Sequence, residues 1–265
     1  MRRRMERGIL DLFERLLLAW EGLSLAASGA WAGLAPLRRL AAAQAARTRA
    51  WPLTWGTVYV VLFCLLSIWA IDRPLALLLK RSVGGDVQGF FRVVTHLGEA
   101  QLYLIPAGLL WVGLMVAAMR GKAEAARERW RRLSFTPAFL FLSIALSGLV
   151  SNAIKISLGR MRPRYLFESG AYGFEPFNTQ WAMNSFPSGH SQAAFAAMTA
   201  LMVIFPRYDV FWVAIAVLVA MSRVVITVHY LSDAVAGSYL AVMVTILLAR
   251  AFRARGLDPR FPPRG

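Results

Sequence analysis

The chain is poor in cysteine, in histidine and in acidic residues. Its single cysteine, Cys64, lies inside an apolar run, which excludes an intrachain disulfide and any metal cluster built on cysteine. Only three histidines and 14 Asp and Glu residues stand against 30 Lys and Arg in 265 residues. Apolar sequence is abundant instead: 58% of the residues are hydrophobic, which indicates an integral membrane protein.

The formal net charge of +16 would indicate nucleic-acid binding in a soluble protein. Here the basic residues stand largely in short blocks between apolar runs, an arrangement that favours anionic lipid surfaces and control of topology. We therefore expect the bilayer as a partner and no nucleic acid, while the oligomeric state stays open.

Six apolar segments have about the length that a helix needs to cross a bilayer, roughly 17 to 25 residues. The fourth is short, so its first turn is expected to begin in the motif that precedes it. The sequence predicts an all-α integral membrane protein with a bundle of six transmembrane helices in residues 51–251, followed by a basic cytoplasmic tail, 252–265. The predicted spans are 52–71, 101–119, 137–157, 191–205, 210–228 and 231–250.

The distribution of Lys and Arg predicts the orientation of these spans, because basic residues in short loops are retained in the cytoplasm. With the N-terminus inside, 21 of the 30 lie on the cytoplasmic side and nine on the other. We expect a bacterial inner-membrane protein with both termini in the cytoplasm and the site described below on the outer face.

Residues 1–50 form an N-terminal cytoplasmic extension whose apolar residues recur at helical spacing from Ile9 to Trp20. We interpret this pattern as an amphipathic helix that lies on the membrane surface. A cleaved signal peptide is disfavoured because Asp11, Glu14 and Arg15 interrupt its apolar core. A seventh crossing within 16–37 is the alternative.

The first of three polar clusters is segment 155–163, at the end of the third span. Lys155 and Arg162 are seven residues apart, so they share a helix face if the helix continues that far. Two cations can then converge, although a lysine at a helix end can also simply reach toward the interface.

The second cluster, segment 186–192, leads into the fourth span. Free backbone N–H groups at a helix start, together with the small pair Ser188 and Gly189, favour binding of an anion. Pro-Ser-Gly is also an ordinary turn and cap, but a cap does not need the next residue, His190.

The third cluster, segment 222–233, closes the fifth span and opens the sixth. His229 and Asp233 are four residues apart, so on a helical turn the carboxylate can accept the imidazole N–H. The other ring nitrogen would then be free to act as a nucleophile or base. The alternative is that Asp233 caps the sixth helix and that His229 is an interfacial histidine.

Together the three clusters resemble the signature of the type 2 phosphatidic acid phosphatase superfamily, which reads Lys-x6-Arg-Pro, Pro-Ser-Gly-His and Ser-Arg-x5-His-x3-Asp. The resemblance covers about residues 51–250 and implies a six-helix membrane phosphatase. The matching positions are Lys155, Arg162, Pro163, Pro187, Ser188, Gly189, His190, Ser222, Arg223, His229 and Asp233.

The resemblance implies that His229 attacks phosphorus to form a phosphohistidine, that Asp233 orients its ring, and that His190 protonates the leaving lipid oxygen. The phosphate would be held without a metal or other cofactor, because cations neutralise its charge. The phosphate-binding residues implied are Lys155, Arg162, Ser188, Gly189 and Arg223. Arg160 and Arg164 lie outside the fixed positions and are interpreted as head-group or loop contacts, and His96 as an interfacial residue.

The implied substrate is a phosphorylated membrane lipid: undecaprenyl pyrophosphate, phosphatidylglycerol phosphate, phosphatidic acid or a lipid A phosphate. A soluble haloperoxidase shares the signature, but six spans argue against it. A lipid phosphotransferase that uses the same phosphohistidine is a closer alternative, and a non-catalytic lipid-binding or transport protein is a third.

Overall fold

The structure, a computed structural model, describes residues 35–261. By compactness the chain forms two units, Met1–Tyr59 and Val60–Gly265. Within the described residues the fold is all-α, as predicted, and its β-structure is confined to one isolated bridge between Arg160 and Phe174. The α-helices are α1 (Ala35–Ala50), α2 (Pro52–Leu66), α3 (Asp72–Ser82), α4 (Gly85–Val94), α5 (Gln101–Arg120), α6 (Glu124–Leu158), α7 (Pro163–Ser169), α8 (Gly189–Ile204), α9 (Asp209–Val225) and α10 (Leu231–Ala254).

Five helical segments are long and apolar enough to cross a membrane. Their large apolar side chains are widely exposed, for example Trp69 at 84% and Val210 at 72%, as expected for surfaces that face lipid. Helix α8 is apolar but has only 16 residues, in line with the short fourth segment of the sequence. The five segments are Pro52–Ser82, Gly85–Arg120, Glu124–Leu158, Pro206–Val225 and Leu231–Ala254.

Two of the predicted boundaries are wrong because charged residues continue the helices. The first span does not end at residue 71: a π-helical turn, Ser67–Ile71, leads directly into α3. The third span does not begin at residue 137: α6 already begins at Glu124, in a charged stretch where Glu128 binds both Arg131 and Arg132 at 2.8 Å. Ion pairs between residues three and four apart stabilise an exposed helical turn.

The described part of the N-terminal unit is α1 and the beginning of α2. The side chains of Gln44 and Thr48 on α1 each lie 2.9 Å from the hydroxyl of Tyr59 on α2. The predicted amphipathic helix lies outside the described residues, and so does the alternative crossing in 16–37 except for its last three residues, which open α1.

Helix α8 lies at the centre of the larger unit and packs against α6, α9 and α10. Its alanines are almost fully buried, and such small side chains allow helices to approach closely in a membrane. Gln192 adds a polar contact by donating to Ser147 on α6 at 2.7 Å. This packing brings the N-terminus of α8 to the end of α6 and the start of α10, where the three polar clusters lie.

Candidate active site

Lys155 and Arg162 converge, but not in the way that their spacing predicts. Helix α6 ends at Leu158, and Gly159 reverses the chain in the left-handed conformation with φ of +56°. Arg162 therefore lies beyond the helix. Both side chains nevertheless reach the carbonyl oxygen of Asn184, each at 3.4 Å, and Lys155 also donates to the carbonyl of Pro187.

The second cluster forms the first turn of α8, as predicted. Ser188 is the N-cap: its hydroxyl accepts from the backbone N–H of Ser191 at 3.4 Å. The backbone N–H of Ser188 donates to the carbonyl of Asp233 at 2.9 Å, so it is not free for an anion, contrary to our expectation. The N–H groups of Gly189 and His190 begin the helix, where geometry leaves no carbonyl within the helix to accept them.

The position of Gly189 suits close approach by an anion. A methyl group added there would lie 3.9 Å from Cε and 4.0 Å from Nζ of Lys155, so the glycine faces this ammonium group. His190 follows it on the same turn and is packed beneath Gly98: a methyl group on Gly98 would lie 2.9 Å from Cβ of His190. A short helical turn, Thr95–Gly98, therefore covers the start of α8.

Arg223 adds a third cation at the C-terminal end of α9. Its Nη1 donates to the hydroxyl of Thr95 at 2.5 Å, while its buried Nε has no partner within the described part of the chain. A buried donor without an acceptor is costly, and a bound anion would satisfy it. His96, next to Thr95, is instead 69% exposed and lies 2.5 Å from Glu99.

The four-residue spacing suggested that His229 lies on a helical turn. It lies instead in the turn between α9 and α10. Thr227 adopts the left-handed conformation, φ of +53°, and turns the chain back so that the N–H of His229 donates to the carbonyl of Arg223 at 3.1 Å. The side chain is 3% exposed. Its Nδ1 lies 3.4 Å from both Oδ2 of Asp233 and the hydroxyl of Ser185.

Asp233 is fully buried in the first turn of α10. Its Oδ2 accepts from the hydroxyl of Ser185 at 2.6 Å and from the backbone N–H of Tyr230 at 2.9 Å. The second of these bonds caps the helix, so Asp233 both caps α10 and faces His229. Capping of the helix by Asp233 and its contact with His229, which the sequence left as alternatives, are therefore compatible, while the burial of His229 does not fit an interfacial histidine.

Arg160 is a buried member of this site and not a loop or head-group contact. It is 1% exposed and donates to Asp233 at 2.5 Å and to Asp72 at 2.8 Å. Burial would lower the pKa of Arg160, but Asp233 and Asp72 outweigh it and raise the pKa above its ordinary value. Arg164, by contrast, is exposed and pairs with Glu168 at 2.7 Å.

Burial sets the protonation states at the centre of the site. It holds the pKa of His229 well below the ordinary value, although the contact with Asp233 acts in the opposite direction. The ring is therefore neutral at pH 7, the form that a nucleophile requires. Burial also lowers the pKa of the Arg162 guanidinium to about 10, which leaves it charged at pH 7.

Sequence reasoning missed four residues that complete this arrangement: Asp72, Thr95, Asn184 and Ser185. One signal could have found Asp72, because a carboxylate directly after the apolar run 52–71 is costly near membrane depth and often has a functional partner. The other three carry no such signal. Asn184, for example, contributes its backbone carbonyl, which every residue type has.

The geometry combines a buried neutral histidine, a carboxylate behind its ring and three cations whose donors surround the same region. Such a set can hold a tetrahedral dianion, neutralise its charge and attack its central atom. Within residues 35–261 no three His, Cys, Asp or Glu side chains gather into a group that could hold a metal ion.

Comparison with known proteins finds relatives that cover most of this chain. A family model described as the PAP2 superfamily matches residues 136–257. Lipid A 1-phosphatase of Rhizobium johnstonii is 31% identical over 221 residues, which cover 81% of this chain and 87% of the relative. Undecaprenyl-diphosphatase of Sulfolobus acidocaldarius is 26% identical over 173 residues, 63% of this chain and 79% of the relative.

A solved structure shows the same fold. The PAP2-type phosphatidylglycerolphosphate phosphatase of Bacillus subtilis superposes with a TM-score of 0.52 at 22% sequence identity. The match covers 75% of this chain and 96% of that protein, so the two share their fold over most of this chain.

Proposed function

Because the chain belongs to the PAP2 superfamily and is a membrane lipid phosphatase of that type, we propose that His229 is its nucleophile. The observation that carries this assignment is the contact between Nδ1 of His229 and Oδ2 of Asp233, in a site with less than a tenth of either side chain exposed. A carboxylate on Nδ1 favours the tautomer in which Nε2 is unprotonated, and that nitrogen can attack phosphorus.

In the proposed reaction the bond from Nε2 of His229 to phosphorus forms while the bond from phosphorus to the lipid oxygen breaks. His190 donates a proton to that oxygen, and the lipid product leaves. A water molecule, whose proton His190 then accepts, attacks the phosphohistidine and releases inorganic phosphate. His190 lies on the first turn of α8, where the backbone N–H groups of Gly189 and His190 are free to hold the phosphate. Its side chain is therefore close to the proposed phosphate site, which supports this role.

The proposed phosphate site consists of Lys155, Arg162 and Arg223 with the backbone N–H groups of Gly189 and His190. The two cations on the carbonyl of Asn184 and the unpaired Nε of Arg223 support it. In place of a free N–H, Ser188 contributes the cap that fixes the turn. These donors would neutralise the phosphate oxygens in the transition state without a metal ion.

For the substrate we propose a lipid A-type phosphate first and undecaprenyl pyrophosphate second. The order follows the extent of similarity to the lipid A 1-phosphatase and to the undecaprenyl-diphosphatase. Phosphatidylglycerol phosphate and phosphatidic acid complete the test panel.

The chain is a bacterial membrane protein, and we propose that it resides in the inner membrane with six spans, α8 being the short one. Lys and Arg are in excess in the terminal segments and loops that lie on the same side of the membrane as the N-terminus. This excess favours both termini in the cytoplasm and the site on the outer face. Along the sequence we divide the chain into an N-terminal extension, 1–50, a membrane domain, 51–251, and a tail, 252–265. Reporter fusions that find the C-terminus outside would contradict this orientation.

The test is phosphate release by detergent-purified protein with EDTA present, on the four lipids. We expect release by the wild type and a loss of at least about 1,000-fold in His229→Ala with the fold retained. His96→Ala is the matched control, since this exposed histidine lies outside the proposed machinery, and it should keep near wild-type activity. Substantial turnover by His229→Ala would remove His229 from the nucleophile's role. No release by a folded wild type, but transfer to an added lipid acceptor, would make the protein a phosphotransferase.

A further inference from the structure

A buried ionic network lies behind the proposed nucleophile and has no role in the reaction as described so far. Arg160 bridges two carboxylates: its Nη1 donates to Oδ1 of Asp233 at 2.5 Å, and its Nη2 donates to Oδ2 of Asp72 at 2.8 Å. All three side chains are at most 1% exposed. The network therefore connects the first helical segment of the larger unit to the start of α10.

The hydrogen bonds around Asp72 fix this carboxylate tightly. Its Oδ1 accepts from the hydroxyl of Ser67 at 2.7 Å and from the backbone N–H of Ser232 at 3.1 Å. The hydroxyl of Ser232 donates to Oδ2 at 2.5 Å and accepts from Arg160 at 2.6 Å. Asp72 directly follows the π-helical turn, a feature that often occurs at functional sites.

Aromatic rings close the network against solvent and lipid. The guanidinium carbon of Arg160 lies 4.4 Å from the ring centre of Tyr230 and 5.6 Å from that of Tyr172. The hydroxyl of Tyr172 also accepts from Arg160 at 2.9 Å. Three buried charges carry a large desolvation cost, and apolar residues of similar volume often serve stability as well or better. Stability alone is therefore a weak reason for this arrangement.

The network contains more negative than positive charge, and this excess indicates its role. Two carboxylates and one guanidinium sum to one negative charge, and the oxygen nearest His229 belongs to Asp233. The other charged groups that face His229 are the cations Lys155 and Arg162. Attack on phosphorus gives the imidazole positive charge, which a nearby net negative charge stabilises.

We propose that Asp72 and Arg160 are positioning residues that hold Asp233 ionised and correctly oriented behind the ring of His229. Arg160 fixes Oδ1 of Asp233, which leaves Oδ2 to face Nδ1 of the histidine. Asp72 balances the charge of Arg160, so that Asp233 keeps its full effect on the ring. The inference rests on the proposed function for its consequence in catalysis, but the charge coupling to His229 exists without substrate.

The kinetic test compares Asp72→Asn, Arg160→Met and the double variant on the lipid that the wild type hydrolyses. We expect each single variant to lose roughly 10- to 100-fold in kcat, by analogy with the range for groups that orient metal-bound histidines, with little change in KM. In Arg160→Met the two carboxylates lack their cation and share a proton, so Asp233 is no longer fully ionised. In the double variant Asp233 is the one carboxylate of the network, so it ionises again, and it keeps its bonds to Ser185 and to the N–H of Tyr230. It should therefore recover much of the activity that Arg160→Met loses.

A matched control is the exposed pair of Arg164 and Glu168 on α7, the helix that follows Arg160 in the chain. Arg164→Met removes the same charge from an exposed site and should leave kcat unchanged. Thermal unfolding of each variant in detergent separates folding from catalysis. A double variant as impaired as Arg160→Met, or losses of kcat that follow only the losses of Tm, would overturn the proposal.

A second measurement needs no substrate. In protein with 15N-labelled imidazoles, the His229 signal is assigned by its absence in His229→Gln, and its titration is followed in each variant. Arg160→Met should move protonation of His229 to lower pH, because Asp72 and Asp233 then share a proton and Asp233 loses its full charge, and the double variant should return it toward the wild-type value. An unchanged titration in Arg160→Met would overturn the proposal. If the wild type releases no phosphate, the proposed function fails. This titration still decides whether Asp72 and Arg160 control the protonation of His229.

Discussion

Adding one methyl group at Gly237 should lower the activity of the protein much more than its stability. This glycine lies inside α10 and faces the backbone of Ser188. A methyl group there would lie 2.5 Å from the Ser188 carbonyl oxygen and 3.3 Å from its carbonyl carbon and nitrogen. Because all three are backbone atoms, no side chain can rotate away, and the two segments must separate.

The expected magnitude follows from this contact. Restoring ordinary van der Waals distance moves Ser188 by roughly 1 Å, and overpacking of this kind costs about 1–3 kcal/mol. Alanine regains about 0.5–1 kcal/mol over glycine inside a helix, so Gly237→Ala should destabilise the protein by about 0.5–2 kcal/mol. The turn that carries Gly189 and His190 moves with Ser188, and a misplacement of about 1 Å can cost 100-fold in rate.

The assay is phosphate release together with thermal unfolding in detergent. Gly148→Ala is the matched control: Gly148 also lies inside a helix, α6, but its nearest neighbour would be the Gln192 amide oxygen at 3.6 Å, an ordinary contact. It should be neutral or slightly stabilising and fully active. Near wild-type turnover by Gly237→Ala would refute the argument that the position of the 188–190 turn controls the reaction.

Two further predictions follow from the same site. Gly159→Ala should lower stability by about 2–4 kcal/mol, because φ is +56° and its methyl group would lie 1.6 Å from the carbonyl oxygen of Glu175. Gly170→Ala, at φ of +71° with open space around it, should cost only about 1 kcal/mol, and equal losses of Tm in the two variants would contradict this account. The pKa of His229 is lowered by burial, so its ring stays neutral as the pH falls through about 6.5, and the acid limb of kcat/KM should lie below that pH. An acid midpoint at or above pH 6.5 would contradict the neutral buried nucleophile.

Much of the fold could be predicted because membrane helices leave strong local signals. Each of the six apolar segments lies mainly on helix in the structure, five of them in segments long and apolar enough to cross a membrane, and the motif at Ser188 to His190 located the start of α8 within two residues. Boundaries failed where a helix continued through charged sequence, as it does at Asp72 and at Glu128. Hydropathy cannot detect such extensions, because they are stabilised by ion pairs or by buried hydrogen bonds that depend on other segments.

The candidate site could be predicted by residue type more reliably than by geometry. Lys155 and Arg162 do approach each other, but through a left-handed turn and a shared carbonyl and not along one helix face. Ser188 provides a cap and a bond to Asp233 instead of a free N–H. In both cases the structure brings the predicted residues into the candidate site through contacts that differ from the predicted ones.

By itself, the sequence determined that this protein is helical, crosses a membrane and carries the residues that we propose to bind phosphate, because each of these properties depends on local composition and short spacing. Only the tertiary structure decided which groups complete the site. Arg160 looks like a loop residue until the chain brings Asp72, 88 residues away, and Asp233, 73 residues away, to opposite ends of its guanidinium. Pairing of buried charges across such distances depends on helix packing, which no local pattern specifies.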